Sequence, residues 1–279
     1  MERKVDGVQD GARGEGPVAH VMTYSAAAGR LDAVFARIAE AGFISIADLA
    51  RSIGVSPMTV RRDVARLVQE GRVVQMHGGV RIVEPSPENA FQQRRNTNWH
   101  AKDAIAYAAA ALVDPHDSIA IDAGSTALHL LDRLPAGFVG SIVSHSVPVM
   151  AAAMEQERFR LVMLGGDLLR DSSALVGPFS VEAASRVRVR TFFLGATAVD
   201  ERGVYVRADI ERPTKRALMA AADRVVLLAD HTKFSSSAPV LLCGLDELNA
   251  LVTDRPVPVN IAAALAAVGV ALYVAELAA

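Results

Sequence analysis

Residues suited to binding chemistry lie directly after apolar runs in the second half of the chain. Residues 122–126 (DAGST) follow one such run and precede a helical pattern. Their small side chains leave backbone N–H groups accessible at the helix start, where the helix dipole attracts anions. This segment can therefore hold a phosphate group. Similar short polar loops occupy residues 144–146, 165–167, 195–197 and 230–233.

The apolar runs before these loops predict the strands of a mainly parallel sheet. They cover residues 118–122, 141–144, 160–164, 191–195, 225–230 and 251–253, with alanine-rich helical stretches between them. Alternating strands and helices favour a parallel sheet covered on both faces, and the carboxyl ends of its strands share one edge. We therefore expect the five loops to converge on one ligand crevice. For any single loop, ordinary turn chemistry is the alternative.

Lysine is rare in this chain, which has 4 lysines against 25 arginines. Lys233 lies in the last of the five loops. A compact ammonium group is a point charge suited to a phosphate or hydroxyl group. We expect Lys233 to contact the ligand, and the alternative is a surface turn residue.

A second candidate site lies near the N-terminus, on one face of a short helix. Ser56 followed by Pro57 predicts the start of this helix, since serine caps helices and proline suits their first turn. At about 100° per residue, Thr59, Arg62 and Arg66 share the side opposite the apolar residues. The outward face is therefore polar and basic.

This basic face is typical of a helix that reads DNA in the major groove. Arg61 lies at its flank and Ser56 is placed to meet a phosphate, while planar arginine can read guanine edges or clamp phosphates. An ordinary solvated face is the alternative. Residues 30–81 hold eight arginines against five acidic residues, whereas residues 82–279 hold 18 basic and 22 acidic residues. Because the basic excess is local to this helix and its neighbours, we expect DNA binding.

Three helices and a hairpin must position that face. Apolar periodicity predicts a first helix ending near Gly42 and a second from Ser45 to Gly54. After the basic helix, residues 73–82 predict a small β-hairpin with a glycine turn, and His77 at this turn is expected to contact DNA. The unit has the layout of a winged helix-turn-helix.

Overall composition bounds the remaining possibilities. The chain has 279 residues, a formal net charge of -2 and a single cysteine, Cys243. These values exclude binding of nucleic acid or membrane by bulk charge, and also a disulfide framework, so we expect a cytoplasmic protein. We expect no membrane insertion of residues 259–277, which predict a short helix, a turn at Gly269 and a final strand. The predicted organisation is a disordered leader (1–28), a winged helix-turn-helix (29–83), a linker or helical connector (84–98) and an α/β domain (99–279).

Metal and nucleophile chemistry find little support. The histidines at positions 77, 145 and 231 share no metal-ligand spacing, so neither a metal site nor a cofactor is expected. Ser125, Ser144 and the histidines are residue types that can form a nucleophile and base pair, but no Gly-x-Ser-x-Gly elbow occurs. No catalytic residue is therefore assigned.

Two sets of motifs together resemble the DeoR family of bacterial transcriptional regulators. In the first domain they are residues 56–64 (SPMTVRRDV), 70–71 (EG) and 77–80 (HGGV). In the second they are Lys102 and residues 122–126, 164–166 (LGG), 193–196 (FLGA), 230–234 (DHTKF) and 253–254 (TD). The resemblance spans about residues 30 to 255.

The resemblance implies an α/β sensor domain with the fold of ribose-5-phosphate isomerase, glucosamine-6-phosphate deaminase and CoA transferases. It implies a phosphorylated sugar as effector, and dimers or tetramers on paired DNA half-sites. By position, Gly124, Ser125 and Thr126 would hold the phosphate with Lys233 nearby. The residues that would line the sugar end are Asp122, Ser144, Gly165, Gly166, Glu211 and Lys215.

Departures from the family pattern limit how far the family's residue roles can be assigned to this chain. His145 stands where members commonly have asparagine, and His231 replaces a serine. Leu194 and Thr197 align with acidic positions of the isomerase, and neither can act as a general acid or base near neutral pH. We therefore expect a DNA-binding regulator, a repressor of a carbohydrate operon. The alternatives are a sugar-phosphate isomerase-like enzyme with a DNA-binding appendage, and a sensor-like domain that only oligomerises.

Overall fold

The computed structural model describes residues 20–23, 27–69, 72–82 and 90–276. After β1 (His20–Thr23), which joins the sheet of the second domain, the first part of the chain forms a small helical domain. Its elements are α1 (Ala27–Ala41), β2 (Phe43–Ile44), α2 (Ile46–Ile53), α3 (Pro57–Gln69), β3 (Val73–Met76) and β4 (Gly79–Ile82). Its three strands form a sheet in the order β2-β4-β3.

Local capping explains where the helices of this domain begin. The Ser45 hydroxyl accepts a hydrogen bond from the Asp48 N–H at 3.1 Å, and the Ser56 hydroxyl accepts one from the Thr59 N–H at 3.2 Å. Each bond satisfies a backbone donor that has no partner within the helix. The apolar faces of α1, α2, α3 and the hairpin then bury one core around Leu31, Val34, Ile38, Leu49, Val60, Val64, Leu67 and Val80. The predicted three helices and hairpin are confirmed.

A helix connects this domain to the second one. Helix α4 (Ala90–Asn96) lies within the predicted linker, and α5 (Trp99–Ala110) follows it at the start of the second domain. The elements of the second domain are then β5 (Ser118–Ile121), α6 (Ser125–Arg133), β6 (Ser141–Ser144), α7 (Val147–Ala153), β7 (Arg160–Met163), β8 (Asp167–Leu169), β9 (Ala174–Val176), α8 (Pro178–Ser185), β10 (Val189–Gly195), β11 (Ala198–Asp200), β12 (Gly203–Val206), α9 (Glu211–Ala220), β13 (Ala222–Leu228), β14 (Val240–Cys243), β15 (Ala250–Thr253), α10 (Val259–Ala267) and β16 (Ala271–Glu276).

The second domain is built on an eight-stranded parallel sheet in the order β1-β16-β15-β13-β10-β5-β6-β7. Side chains that alternate along β10 serve both faces. Phe193 packs with residues of α5, α6 and α7, whereas Phe192 and Leu194 pack with residues of α8, α9 and α10. The sheet is therefore covered on both faces, as alternating strands and helices predict.

Two smaller β-units were absent from the sequence-based prediction. Strands β11, β12 and β14 form an antiparallel sheet, and β8 pairs with β9 as a hairpin. These strands are only three or four residues long, and such short runs carry little periodicity of their own. The hairpin matters for the site because it packs beside the loop after β6.

The predicted leader differs from the structure at one place. Residues 20–23 form strand β1, which pairs in parallel with β16, and α1 begins at Ala27. The partner strand lies at the other end of the chain, so local sequence could not indicate this pairing. The rest of the predicted leader lies outside the described residues, except for the start of α1.

The apolar C-terminal segment forms a short helix and a strand. Helix α10 ends before Gly269, which has a φ of +73°, and β16 follows, lying between β1 and β15 in the sheet. Among the described residues, no helix is long and apolar enough to cross a membrane. The predicted helix, turn and strand are confirmed.

Candidate functional site

The outward face of α3 carries the residues predicted to contact DNA. Arg61 and Arg62 are exposed, whereas Thr59 is half-buried, and its hydroxyl shares a 2.8 Å hydrogen bond with that of Ser56. Ser56 therefore acts as the cap of α3, and its exposed position at the helix start remains compatible with a phosphate contact. Both arginines extend into solvent at the start of the helix that a winged helix-turn-helix places in the major groove.

Arg66 lies at the far end of α3 and faces the second domain. Its guanidinium carbon is 5.7 Å from the centroid of the Trp99 ring. Trp99 in turn packs edge-on against His129, with ring centroids 5.6 Å apart. The sequence predicted a DNA contact for Arg66, whereas here the side chain forms a cation–π contact between the two domains.

The hairpin turn presents the remaining predicted DNA residue. His77 is exposed in the turn between β3 and β4. This hairpin is fixed to the helical core through Val73 and Val80, which are 2% and 0% exposed. His77 therefore projects from a rigid support beside α3.

A pocket lies where the chain changes direction across the sheet. From β5 the chain runs outward to β6 and β7, then returns to β10 on the other side of β5. Crevices at such switch points, outside the carboxyl ends of the strands, bind ligands in open α/β sheets. The pocket is lined by Arg94, Ala123, Gly124, Ser125, Asp171, Ser172, Gly195, Ala196, Thr197, Val206, Arg207, Glu211, Lys215 and Lys233.

The start of α6 provides backbone donors at this pocket. Gly124 is its N-cap residue and no side chain caps the helix. A Cβ atom on Gly124 would lie 3.3 Å from the Cα atom of Gly195, so the two loops approach closely. Lys233 lines the same pocket, and no carboxylate of the described residues pairs with it within 4.0 Å. Uncapped N–H groups together with an ammonium group form a site suited to a phosphate.

A buried ionic cluster supports the pocket from below. Asp122 is 0% exposed, and its Oδ2 atom accepts hydrogen bonds from the Gly195 N–H at 2.8 Å and from the Lys215 ammonium. His145 Nε2 lies 3.4 Å from Asp122 Oδ1. Burial raises the pKa of Asp122, but Lys215, His145 and the hydrogen bonds from Lys215 and Gly195 outweigh burial and hold it below its ordinary value.

Glu211 sits in the pocket near the same lysine. Burial raises the pKa of Glu211 above its ordinary value, although the charge of Lys215 opposes this change. The two oxygen atoms of this carboxyl group can accept hydrogen bonds from hydroxyl groups in the pocket. It is therefore suited to the hydroxyl groups of a sugar.

The structure brings only some of the predicted ligand residues together. Gly124, Ser125, Glu211, Lys215 and Lys233 line the pocket. The predicted residues that do not line it are Asp122, Thr126, Ser144, Gly165 and Gly166. Three of the five predicted loops thus meet at the pocket, and the expectation for the loops after β6 and β7 needs correction.

Tertiary packing explains why the loops after β6 and β7 do not line the pocket. Strands β6 and β7 lie toward the sheet edge, away from the switch point between β5 and β10. The hairpin β8–β9 covers the loop after β6, where the Leu175 N–H donates to the His145 carbonyl at 2.7 Å. The Ser144 hydroxyl donates a hydrogen bond to the Ile121 carbonyl at 2.7 Å, and the Gly165 carbonyl accepts one from the Ser180 hydroxyl.

Two arginines of the pocket were missed by the sequence analysis. Arg94 comes from α4, inside the predicted linker, and Arg207 follows β12, a strand that was not predicted. The Arg94 guanidinium donates to the backbone carbonyl of Asp171. Neither arginine stands in a recognisable motif, and the abundance of arginine in this chain hides them.

A metal site has no support in the described residues. No group of three or more histidine, cysteine, aspartate or glutamate side chains among them could hold a metal ion. The cationic lining of the pocket instead favours anionic ligands.

Comparison with known proteins agrees with both halves of the structure. A DeoR-like helix-turn-helix domain matches residues 30–86, and a DeoR C-terminal sensor domain matches residues 97–255. The HTH-type transcriptional repressor CsqR of Escherichia coli is 30% identical over 82% of this chain and 88% of its own. The glycerol-3-phosphate regulon repressor of Escherichia coli is 28% identical over 83% and 92%.

Among solved structures, ribose 5-phosphate isomerase A of Methanocaldococcus jannaschii aligns with 49% of this chain and 55% of its own at 21% identity, with a TM-score of 0.37. The two family models together cover more than half of the chain, in the order and at the places where the two domains lie. This chain therefore belongs to the DeoR family of transcriptional regulators.

Proposed function

We propose that this protein is a repressor of a carbohydrate-metabolism operon whose affinity for operator DNA is controlled by a phosphorylated sugar. One observation carries the proposal: an uncapped helix start and Lys233 share a cation-lined pocket in the same chain as a basic winged helix-turn-helix. The two repressors described above support the same assignment, and one of them is named for a glycerol-3-phosphate regulon.

The phosphate end of the effector is assigned to the start of α6. The N–H groups behind Gly124 and Ser125 and the Lys233 ammonium would hold the phosphate oxygens. Glu211 and Lys215 would contact sugar hydroxyls. Effector binding changes operator affinity to the extent that the effector binds the two conformations unequally, and DNA changes effector affinity by the same factor.

DNA binding is tested on the promoter fragment beside the gene. Arg62→Ala is expected to weaken the specific complex by about 1–3 kcal/mol if the side chain reads a base edge. Arg51→Ala is the matched control, because Arg51 is an exposed arginine on α2 that pairs with Asp48 at 2.9 Å. Fluorescence anisotropy at two salt concentrations measures both. Absence of a sequence-specific complex for the full-length protein at moderate salt would refute the assignment.

Effector binding is tested by thermal unfolding with a panel of phosphates. The panel contains inorganic phosphate, glycerol 3-phosphate, ribose 5-phosphate, glucosamine 6-phosphate and fructose 1-phosphate. A ligand present at about 100 times its dissociation constant adds roughly 2.7 kcal/mol of stability, a rise in Tm of about 5–10 °C for a chain of this size. Lys233→Gln is expected to remove most of that rise. No shift with any phosphate would instead favour a domain that only oligomerises.

An isomerase-like enzyme would need a general acid or base in the pocket. Leu194 is 0% exposed in the core and Thr197 lines the pocket, so these two positions offer no acid or base. We therefore propose a sensor without catalytic turnover. Incubating the protein with the sugar phosphates of the panel and analysing the products tests this, and isomerised product would contradict it.

Assembly and location complete the proposal. Regulators that read two half-sites bind as symmetric oligomers, so we propose a homodimer or homotetramer on operator DNA in the cytoplasm. Analytical ultracentrifugation with and without an operator duplex measures the stoichiometry. A single protein chain on each duplex would contradict this part of the proposal.

A further inference from the structure

The connector helix α4 is held against the sensor domain by a buried side chain and by backbone carbonyl groups at its C-terminal end. Phe91 is 3% exposed within the main core of that domain. The Lys102 ammonium, itself 3% exposed, donates hydrogen bonds to the carbonyl oxygen of Arg94 and, at 2.6 Å, to that of Thr97. The backbone around Arg94 is therefore held in a defined position beside the pocket.

The side chain of Arg94 lines the pocket, and its guanidinium donates to the backbone carbonyl of Asp171. No carboxylate of the described residues forms an ion pair with it within 4.0 Å. Burial, followed by the nearby charge of Arg207, lowers the pKa of Arg94 from its ordinary value, although the charges of Glu211 and Asp171 oppose this change. Two guanidinium groups that face one cavity repel each other, and an oxygen-rich ligand that accepts their hydrogen bonds can reduce this repulsion.

The other end of the same segment contacts the DNA-binding domain. The chain turns at Asn98, which has a φ of +52°, and enters α5 at Trp99. The Trp99 ring receives Arg66 from the last turn of α3. Arg94 in the pocket and Trp99 against the recognition helix are thus five positions apart on either side of one tight turn.

Arg94 lies between the two regions of the chain that the family models match. The family models match residues 30–86 and 97–255, and Arg94 belongs to neither segment. A ligand in the pocket and the carbonyl of Asp171 can both accept hydrogen bonds from the Arg94 guanidinium. A ligand that draws the guanidinium away from that carbonyl would change how the connector is attached to the sensor domain.

We propose that Arg94 is an effector-contacting residue carried by the connector helix, and that transfer of its guanidinium from the Asp171 carbonyl to the effector links occupancy of the pocket to the Arg66–Trp99 contact. This inference rests on the proposed function, since it assumes that a sugar phosphate binds in the pocket. It adds a residue and a route for regulation of the same site. The effect on DNA arises because the effector then binds unequally to the two attachments of the connector.

The test compares Arg94→Gln with Arg95→Gln. Arg95 is the next residue of α4 and its side chain is exposed, so it matches the change in charge without entering the pocket. The probe is the panel sugar phosphate that raises the Tm of the wild-type protein most. Its affinity is measured by calorimetry, and operator affinity is measured by anisotropy without the probe and at saturating probe.

Arg94→Gln is expected to weaken probe binding by about 10- to 100-fold, the range for loss of a charged hydrogen bond. Without probe, its operator affinity should shift toward that of the wild-type protein at saturating probe, since the variant has already lost the guanidinium contact with the Asp171 carbonyl. At saturating probe, the change in operator affinity seen for wild type should be largely lost. Arg95→Gln should behave as wild type in all three measurements.

Arg94→Lys provides a second variant in case the glutamine variant does not fold. Lysine keeps the charge but loses the planar fork, so intermediate probe affinity and a reduced operator response are expected. Wild-type probe affinity in a folded Arg94 variant overturns the inference, and so does a wild-type operator response at saturation. If no phosphate of the panel binds the wild-type protein, the effector site itself is refuted, which distinguishes failure of the proposed function from failure of this inference.

Discussion

The buried ion pair below the pocket gives the sharpest stability prediction. Asp122→Asn removes the charge that faces Lys215, whose side chain is 5% exposed. Breaking a buried pair by changing one partner costs about 3–5 kcal/mol, because the remaining charge stays buried without compensation. For a chain of this size, that loss lowers the Tm by roughly 6–20 °C.

Urea and thermal unfolding of Asp122→Asn measure this loss, and a double variant identifies its origin. Asp122→Asn with Lys215→Met removes both charges, so it should recover at least half of the lost stability. Asp132→Asn on the exposed side of α6 is the control and should stay within about 0.5 kcal/mol of wild type. A loss below about 1 kcal/mol for Asp122→Asn, or no recovery in the double variant, would refute the assignment of a structural ion pair.

The same pair fixes a direction for the pH dependence of stability. The pKa of Asp122 is depressed in the folded protein, so the folded state binds its proton less readily than the unfolded chain. The contribution of Asp122 is therefore complete above the unfolded pKa and is lost as the pH falls through the folded pKa. Stability that rises on acidification below pH 4 would contradict this sign.

Further predictions concern His145, the glycines after β7 and the cap of α3. Burial lowers the pKa of His145 from 6.5 to about 4, so stability present above pH 6.5 is lost as the pH falls toward 4. In urea unfolding across that range, His145→Asn should flatten this loss by up to about 1.4 kcal/mol per pH unit, and an unchanged slope would contradict it. Gly166→Ala should destabilise the fold by about 1–3 kcal/mol, because its φ is +134° and a Cβ would lie 2.4 Å from the Val176 carbonyl oxygen. Gly165→Ala is its control, since a Cβ there meets nothing within 4 Å, and equal losses for the two would count against the reasoning. Ser56→Ala should cost about 1 kcal/mol in thermal unfolding through loss of the α3 cap, and a neutral effect would argue that the cap contributes nothing.

Local signals explain which parts of the fold were predictable. Ser56 and Pro57 mark the start of α3, and apolar periodicity marks its buried face, because capping and amphipathicity act over a single turn. The six predicted strands of the parallel sheet were likewise visible as apolar runs before polar loops. Strand β1 was not, since its partner β16 lies at the other end of the chain. The hairpin β8–β9 and the small antiparallel sheet were not, because their strands are only three or four residues long.

The residues of the pocket also divide into those recognisable from local sequence and those brought there by tertiary packing. The segment at Gly124 and Ser125 and the lone Lys233 were recognisable from residue type and spacing. The loops after β6 and β7 carry similar residues, yet the order of strands sends them toward the sheet edge and a hairpin covers the first of them. Arg94 and Arg207 reach the pocket through tertiary packing alone.

The sequence by itself therefore determined the two domains, the basic face of α3 and the phosphate-type loop, because each depends on residues close together in the chain. Tertiary structure decided which loops share the pocket, that Arg66 turns toward Trp99, and that the connector helix supplies Arg94. The physical reason is that strand order and domain packing are set by the burial of apolar surfaces distant in sequence. No local pattern of charge or hydrogen bonding encodes that arrangement.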